Sequence, residues 1–138
     1  MISITNKHLS LQDIMCELED NSAGALSIFI GNVRNRGRSG NVSEIHYEAY
    51  SKMAEEKMRE IENEAQTKWG IKKLVAIHRI GNLKVGETSI IIGVSSEHRH
   101  EAFEACKYII NNVKTRVPIW KKEISKDSQK WADGFLLE

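Results

Sequence analysis

Two lysines bracket the most suggestive stretch of this chain: Lys114-Thr115-Arg116-Val117-Pro118-Ile119-Trp120-Lys121-Lys122-Glu123. Lys114 and Lys121 stand seven residues apart, either side of an apolar run with a rigid proline. An amine held beside Ile119 and Trp120 is partly desolvated. Desolvation favours the neutral form, which can act as a base or nucleophile. The plain alternative is a pair of surface lysines, and Lys114 also suits the end of a helix, where cations are favourable. A second cluster, His98-Arg99, falls in the first turn of a helix. That turn offers unpaired N–H groups and the positive end of the helix dipole. Phosphate or carboxylate is the natural ligand there; solvated polar residues at a helix start are the alternative. The third is Arg34, with Arg36 and Arg38, in a glycine-punctuated loop leaving a strand. Arg34 lies closest to the strand and is the best anion-binding candidate, although a solvated basic loop also fits. His78-Arg79-Ile80-Gly81 reads first as a strand-end turn with a hydrogen-bonded histidine. Cys106 reads as core.

These residues need elements to hold them. Ser10 is placed to cap a short helix over about 11–20. Gly24 to Val33 is β-rich, and Val42 to Tyr50 alternates as a second strand. Ala54, Met58, Ile61, Ala65 and Trp69 recur every three or four residues, predicting a helix from Ser51 to Trp69 that Gly70 ends. Ile71 to Ile80 reads as a strand, Leu83 to Gly86 as a turn, and Thr88 to Ser95 as a central, nearly unbroken apolar strand. A second long helix runs from near Ser96 to about Lys114, with Ala102, Phe103, Cys106, Ile109, Ile110 and Val113 as its buried stripe. Ile119 to Ile124 forms another strand, and Lys130-Trp131-Ala132 closes the sheet. The sum is α+β, a mixed or antiparallel sheet with the two long helices packed on one side.

Length and composition set the limits. The 138 residues suit one domain, 1–138, with 41% hydrophobic and 28% charged residues, close to ordinary globular values. Lys and Arg number 20 against 19 Asp and Glu, a net charge of +1. That balance disfavours a nucleic-acid binder, so any anion site is local. Cys16 and Cys106 form no CxxC pair, which disfavours a zinc or redox motif and suits a reducing cytosol. No leader is visible and no apolar run approaches the roughly 20 residues needed to span a bilayer. The expected location is cytoplasmic. There is no P-loop, dinucleotide fingerprint, Ser-His-Asp signature or metal-ligand spacing.

Taken in order, several segments resemble the large, catalytic subunit family of molybdopterin synthase. They are Gly24-Ala25 with Phe29-Ile30-Gly31-Asn32-Val33-Arg34; Tyr47-Glu48-Ala49-Tyr50 with Met53-Ala54; Ile77-His78-Arg79-Ile80-Gly81; Ser96-Glu97-His98-Arg99 with Phe103-Glu104-Ala105; and Lys114 to Glu123. Together they span roughly residues 23–132, and their ordered set is highly specific.

The resemblance implies an α/β-hammerhead-type single domain and a homodimer within a heterotetramer. Each large subunit would bind a small ubiquitin-like sulfur-carrier subunit, whose C-terminal Gly-Gly thiocarboxylate enters a pocket. The implied activity is sulfur transfer to cyclic pyranopterin monophosphate, forming the dithiolene of molybdopterin in molybdenum cofactor biosynthesis. No metal or resident cofactor is implied. The family's substrate contacts fall on Asn32, Val33, Arg34, His98 and Arg99, with Lys122 and Glu123 continuing the segment; its two functional lysines fall on Lys114 and Lys121. Some members carry a basic residue shortly after the Trp131 region, contributed to the neighbouring subunit's pocket. This chain has Gly134-Phe135-Leu136-Leu137 there. Fifteen residues separate Arg99 from Lys114, about 22 Å along one straight helix at 1.5 Å per residue. Both cannot grip one small substrate from a single chain. A composite site follows, with His98 and Arg99 from one subunit and Lys114 and Lys121 from its partner.

Overall fold

The computed structural model describes residues 1–38, 40–125 and, for their backbone, 129–131. In chain order the elements are β1 (Ile2–Thr5), α1 (Leu11–Glu17), β2 (Ala25–Asn32), β3 (Arg36–Gly37), β4 (Gly40–Asn41), β5 (Glu44–Ala49), α2 (Ser51–Trp69), β6 (Lys73–Arg79), β7 (Gly81–Lys84), β8 (Thr88–Ser96), α3 (Arg99–Arg116), β9 (Ile119–Ile124) and β10 (Gln129–Trp131). The class is α+β, as the segment pattern predicts. The strands form two four-stranded sheets, ordered β1-β6-β8-β2 and β10-β9-β5-β7, plus the small β3–β4 ribbon.

In the first sheet β8 runs antiparallel to both β6 and β2, and β1 joins β6 in parallel. From Ser89 to Ser96 every residue of β8 is buried, which is why its sequence is an apolar run rather than an alternation. One face of this sheet carries Leu74, Ala76, Ile90, Ile92 and Val94 into the main core. There they meet Ala54, Met58, Ile61 and Ala65 of α2 and Ala105, Cys106, Ile109, Ile110 and Val113 of α3. Spacings of three and four place each set on one helix face. The opposite face carries Val75, Ile77 and Ile91 against Ile14 and Leu18 of the α1 region. The period-two alternation of a strand therefore feeds two cores. Ser10 caps α1 as expected, its Oγ accepting from the Asp13 N–H at 3.3 Å.

Four expectations need correction. Phe103, expected in the buried stripe of the second long helix, is 63% exposed, and Ala105 takes its place in the core. Helices lie on both faces of the first sheet, because α1 covers the face that α2 and α3 leave. Residues 83–84 belong to a strand, not a turn: β7 pairs with β5 (Ile45 opposite Leu83), and Leu83 is fully buried. Gly81, at φ 96°, lets the chain turn out of β6 and into the other sheet. Finally, β1 is a strand the sequence reading left unassigned. Its four residues pair in register with Ala76 to Arg79.

Gly93 of β8 faces Leu18, and a Cβ there would lie 2.5 Å from Leu18 Cδ1. Leu18 is completely enclosed. Gly93→Ala is therefore expected to lower stability by about 1–3 kcal/mol, the usual cost of overpacking. Urea unfolding tests this, and an unchanged midpoint would show that the Leu18 seat has room to spare.

Candidate active site

The two sheets and the C-terminal end of α3 meet around a partly open cavity of about 60 Å³. Each wall comes from a different element. The end of β2 supplies Gly31 and Asn32, and the segment beyond it Arg34 and Arg36. β5 supplies Ile45 and Tyr47, β6 supplies His78, and β8 supplies Ser89 and Ile90. α3 contributes Val113 and Lys114, and β9 contributes Lys121 and Glu123. Residues far apart in sequence thus converge because β5 pairs with β9 in antiparallel register, Tyr47 opposite Lys121 and Ile45 opposite Glu123.

Strand alternation decides which β9 side chains point inward. Ile119, Lys121 and Glu123 are buried, and Trp120, Lys122 and Ile124 are half-buried on the other face. Lys121 Nζ lies 3.7 Å from Glu123 Oε2, both side chains nearly sealed from solvent at 4% and 3% exposure. Such a buried pair holds its partners in place more than it stabilises the fold. Lys114 arrives from the last turn of α3, where Arg116 is anchored two residues later. The Arg116 guanidinium grips the Glu64 carboxylate of α2 with Nη1···Oε1 2.6 Å and Nη2···Oε2 2.8 Å. Tyr108 donates to the same carboxylate at 2.5 Å. The Arg116 bonds first, and that of Tyr108 second, hold Glu64 down to a pKa of about 2. Near neutral pH this clamp is fully ionised.

Of the sequence-derived candidates, Asn32, Arg34, Lys114, Lys121 and Glu123 share the cavity. Asn32 Oδ1 accepts from Thr88 Oγ1 at 2.8 Å, which fixes the amide at the rim. Val33 does not join them. It is 3% exposed within the main core, and its backbone bonds to Glu87 and Gly86, so it positions its neighbours rather than touching a ligand. Lys122 lies on the face of β9 away from the cavity. His98 and Arg99 begin α3 at its other end, both exposed, with His98 Nε2 3.6 Å from Glu97 Oε1. One chain therefore does not bring the two clusters together. The Gly134–Leu137 stretch and Ala132 lie outside the described residues.

Tyr47, His78 and Ser89 were not singled out as site residues, yet they line the cavity. His78 reads in sequence as a strand-end residue; the structure encloses it at 2% exposure. Burial, with the Lys114 cation adding to it, lowers its pKa from 6.5 to about 4 against the raising effect of the Arg79 carbonyl. The unfolded chain therefore takes a proton near pH 6.5 that the folded chain refuses until about pH 4. The stability held above pH 6.5 is expected to drain away as pH falls through that window, by about 3 kcal/mol in all. Thermal melts of wild type and His78→Gln across this range check the sign; identical slopes would discount the imidazole as the cause.

Among the described residues no group of three or more His, Cys, Asp or Glu side chains is placed to hold a metal, and no helix is long and apolar enough to cross a membrane.

Comparison with known proteins is consistent across sequence and structure. A model of the MoaE protein family matches residues 4–116. The molybdopterin synthase catalytic subunit of Pyrococcus abyssi is 40% identical over 125 residues, covering 91% of this chain and 84% of that protein. The human subunit of the same name is 40% identical over 131 residues, covering 95% and 70%. The crystal structure of molybdopterin synthase from Staphylococcus aureus superposes with a TM-score of 0.90 at 35% identity, covering 94% of this chain and 95% of that one. A complex of subunits 1 and 2 of molybdopterin-converting factor from Helicobacter pylori shares the fold, with a TM-score of 0.78 at 20% identity over 96% and 90% of the two chains.

Proposed function

This chain belongs to the MoaE protein family, and from that premise we propose that it is the catalytic subunit of a molybdopterin synthase. The reaction transfers sulfur from the C-terminal thiocarboxylate of a small ubiquitin-like carrier to cyclic pyranopterin monophosphate, giving the dithiolene of molybdopterin. The observation that carries this reading is the cavity. Two lysines from separate elements, Lys114 and Lys121, meet there beside Asn32 and Arg34. That is a cationic pocket suited to a carboxylate-like tail and a phosphate.

The geometry supports a division of labour. Lys114 serves the carrier's thiocarboxylate, balancing its charge and exchanging a proton as sulfur leaves. Lys121 is tethered to Glu123, so it holds position rather than swinging. Arg34 and Asn32 meet the substrate's anionic end. The cavity has room for only about four waters, so it takes a narrow, extended Gly-Gly tail, and the pterin lies at its mouth. His98 and Arg99 are separated from Lys114 by the length of α3, about 22 Å. They therefore complete the phosphate cradle of a neighbouring subunit in a homodimer, within a heterotetramer that includes two carriers. The Helicobacter pylori structure is a complex of subunits 1 and 2, which supports a second kind of subunit as partner.

The test mixes this protein with thiocarboxylated carrier and cyclic pyranopterin monophosphate and assays dithiolene product. Product formation is the expected result. Tight binding of the substrate with no turnover would instead identify a non-catalytic phosphate-binding module.

A further inference from the structure

The β3–β4 ribbon borders the cavity but has no task in the chemistry above. Its strands are two residues each, with Arg36 opposite Asn41 and Gly37 opposite Gly40. A strand pair that short does not hold its shape alone in water. Its root is tied down instead. The Val42 N–H donates to the Asn35 carbonyl at 2.9 Å, and the Ser43 N–H donates to the Ile124 carbonyl of β9 at 2.8 Å. Beyond the root, Gly37 rests on Glu123. A Cβ on Gly37 would lie 2.6 Å from the farther carboxylate oxygen of Glu123 and closer still to the nearer one. Glu123 is 3% exposed and paired with Lys121 at 3.7 Å, so it does not swing into water to make room. The missing side chain at Gly37 is what lets the ribbon close onto β9.

The residue before Gly37 is Arg36, exposed and lining the cavity together with Arg34. The lining holds four cations, Arg34, Arg36, Lys114 and Lys121, against the single carboxylate of Glu123. That carboxylate is already matched to Lys121. A cleft lined so heavily by one sign of charge draws in an anion. A guanidinium adds a planar fork of donors that fits two oxygens of a phosphate. We propose that Arg36 is a further binding residue for the substrate's phosphate, and that Gly37 is the positioning residue that places it by seating the ribbon on Glu123. The inference rests on the reading of this cavity as the site of a phosphate-bearing substrate.

The test is calorimetric titration of the full chain with cyclic pyranopterin monophosphate, without carrier. Arg36→Ala is expected to raise Kd on the order of tenfold, the loss of a charge-assisted hydrogen bond. Arg36→Lys should fall between, since an ammonium keeps the charge but not the fork. A pterin without the phosphate should bind all three proteins alike. Gly37→Ala should raise Kd by a similar factor, and the double variant no further than Arg36→Ala alone, because a displaced ribbon has already withdrawn the guanidinium. Should Gly37→Ala fail to fold, Gly40→Ala replaces it. Its φ of 107° favours glycine, and no atom lies within 4 Å of an added Cβ, so it loosens the same residue pair without touching Glu123. An unchanged Kd in Arg36→Ala, or equal weakening of the phosphate-free pterin, would overturn the role of Arg36. Effects that multiply in the double variant would overturn that of Gly37. The functional reading is separable, because inorganic phosphate raises the thermal midpoint of a folded protein that binds it. If wild type takes no pyranopterin, a phosphate-induced shift that is lost in Arg36→Ala sinks only the substrate assignment. A shift that is equal in both proteins, or absent from wild type, overturns the proposal itself.

Discussion

Lys114→Ala is expected to reduce dithiolene formation by about 10²–10⁴-fold, the range for removing a positioned proton-transfer or charge-balancing group. The fold should tolerate the change. Lys114 is only half-buried, at the last turn of α3, and alanine is the best helix former. The loss should therefore appear in turnover, with the thermal midpoint close to that of wild type. Lys114→Arg offers a sharper comparison. A guanidinium keeps the charge but cannot give up its proton at working pH. If the amine's role were charge alone, arginine would restore most of the rate. If proton exchange matters, it would restore little. Substrate binding by calorimetry should be nearly unchanged in both variants. A rate within a few-fold of wild type in Lys114→Ala would remove this residue from the chemistry.

The second large effect concerns Lys121, and it falls on stability as well as rate. Lys121→Met leaves the enclosed Glu123 carboxylate without the ammonium 3.7 Å away. Breaking one side of a buried ion pair costs about 3–5 kcal/mol, because the remaining charge loses a partner that water does not replace. Replacing both partners, as in Lys121→Met with Glu123→Leu, removes that penalty. The double variant is expected to regain much of the stability while staying inactive. Denaturant unfolding and the dithiolene assay, run on the same three proteins, separate the two contributions. Equal stability of the single and double variants would show that the two side chains are not coupled.

How much of this was legible before the structure depended on how local the signal was. α2 was readable to its ends, because Ala54, Met58, Ile61 and Ala65 keep helical spacing and Gly70 stops the run. β8 was readable as an unbroken apolar run and the body of α3 by its helical spacing, although Phe103 of the expected stripe faces solvent. The inward placement of Lys121 and Glu123 was not visible in composition, but it follows from strand alternation once β9 is recognised. The division into two sheets was hidden. It depends on the turn at Gly81 and on the pairing of β5 with both β7 and β9, contacts between distant residues. β1 was hidden too, since a four-residue strand acquires meaning only beside β6. His78 shows the limit most clearly. A histidine at a strand end looks the same in sequence whether it faces water or is enclosed by Tyr47 and a neighbouring cation. Val33 shows the converse: flanked by two cavity residues, it turns inward to the core.

The grip of Arg116 on Glu64 also bears on timing. It pins the helix backbone two residues past Lys114, so that lysine works from a fixed pivot. Its ammonium head moves only by rotation about its own methylene bonds, which takes picoseconds to nanoseconds. Under the proposed function, two sulfur donations in succession would require no helix to shift between them: one spent tail would leave and the next enter around an amine held on the same pivot.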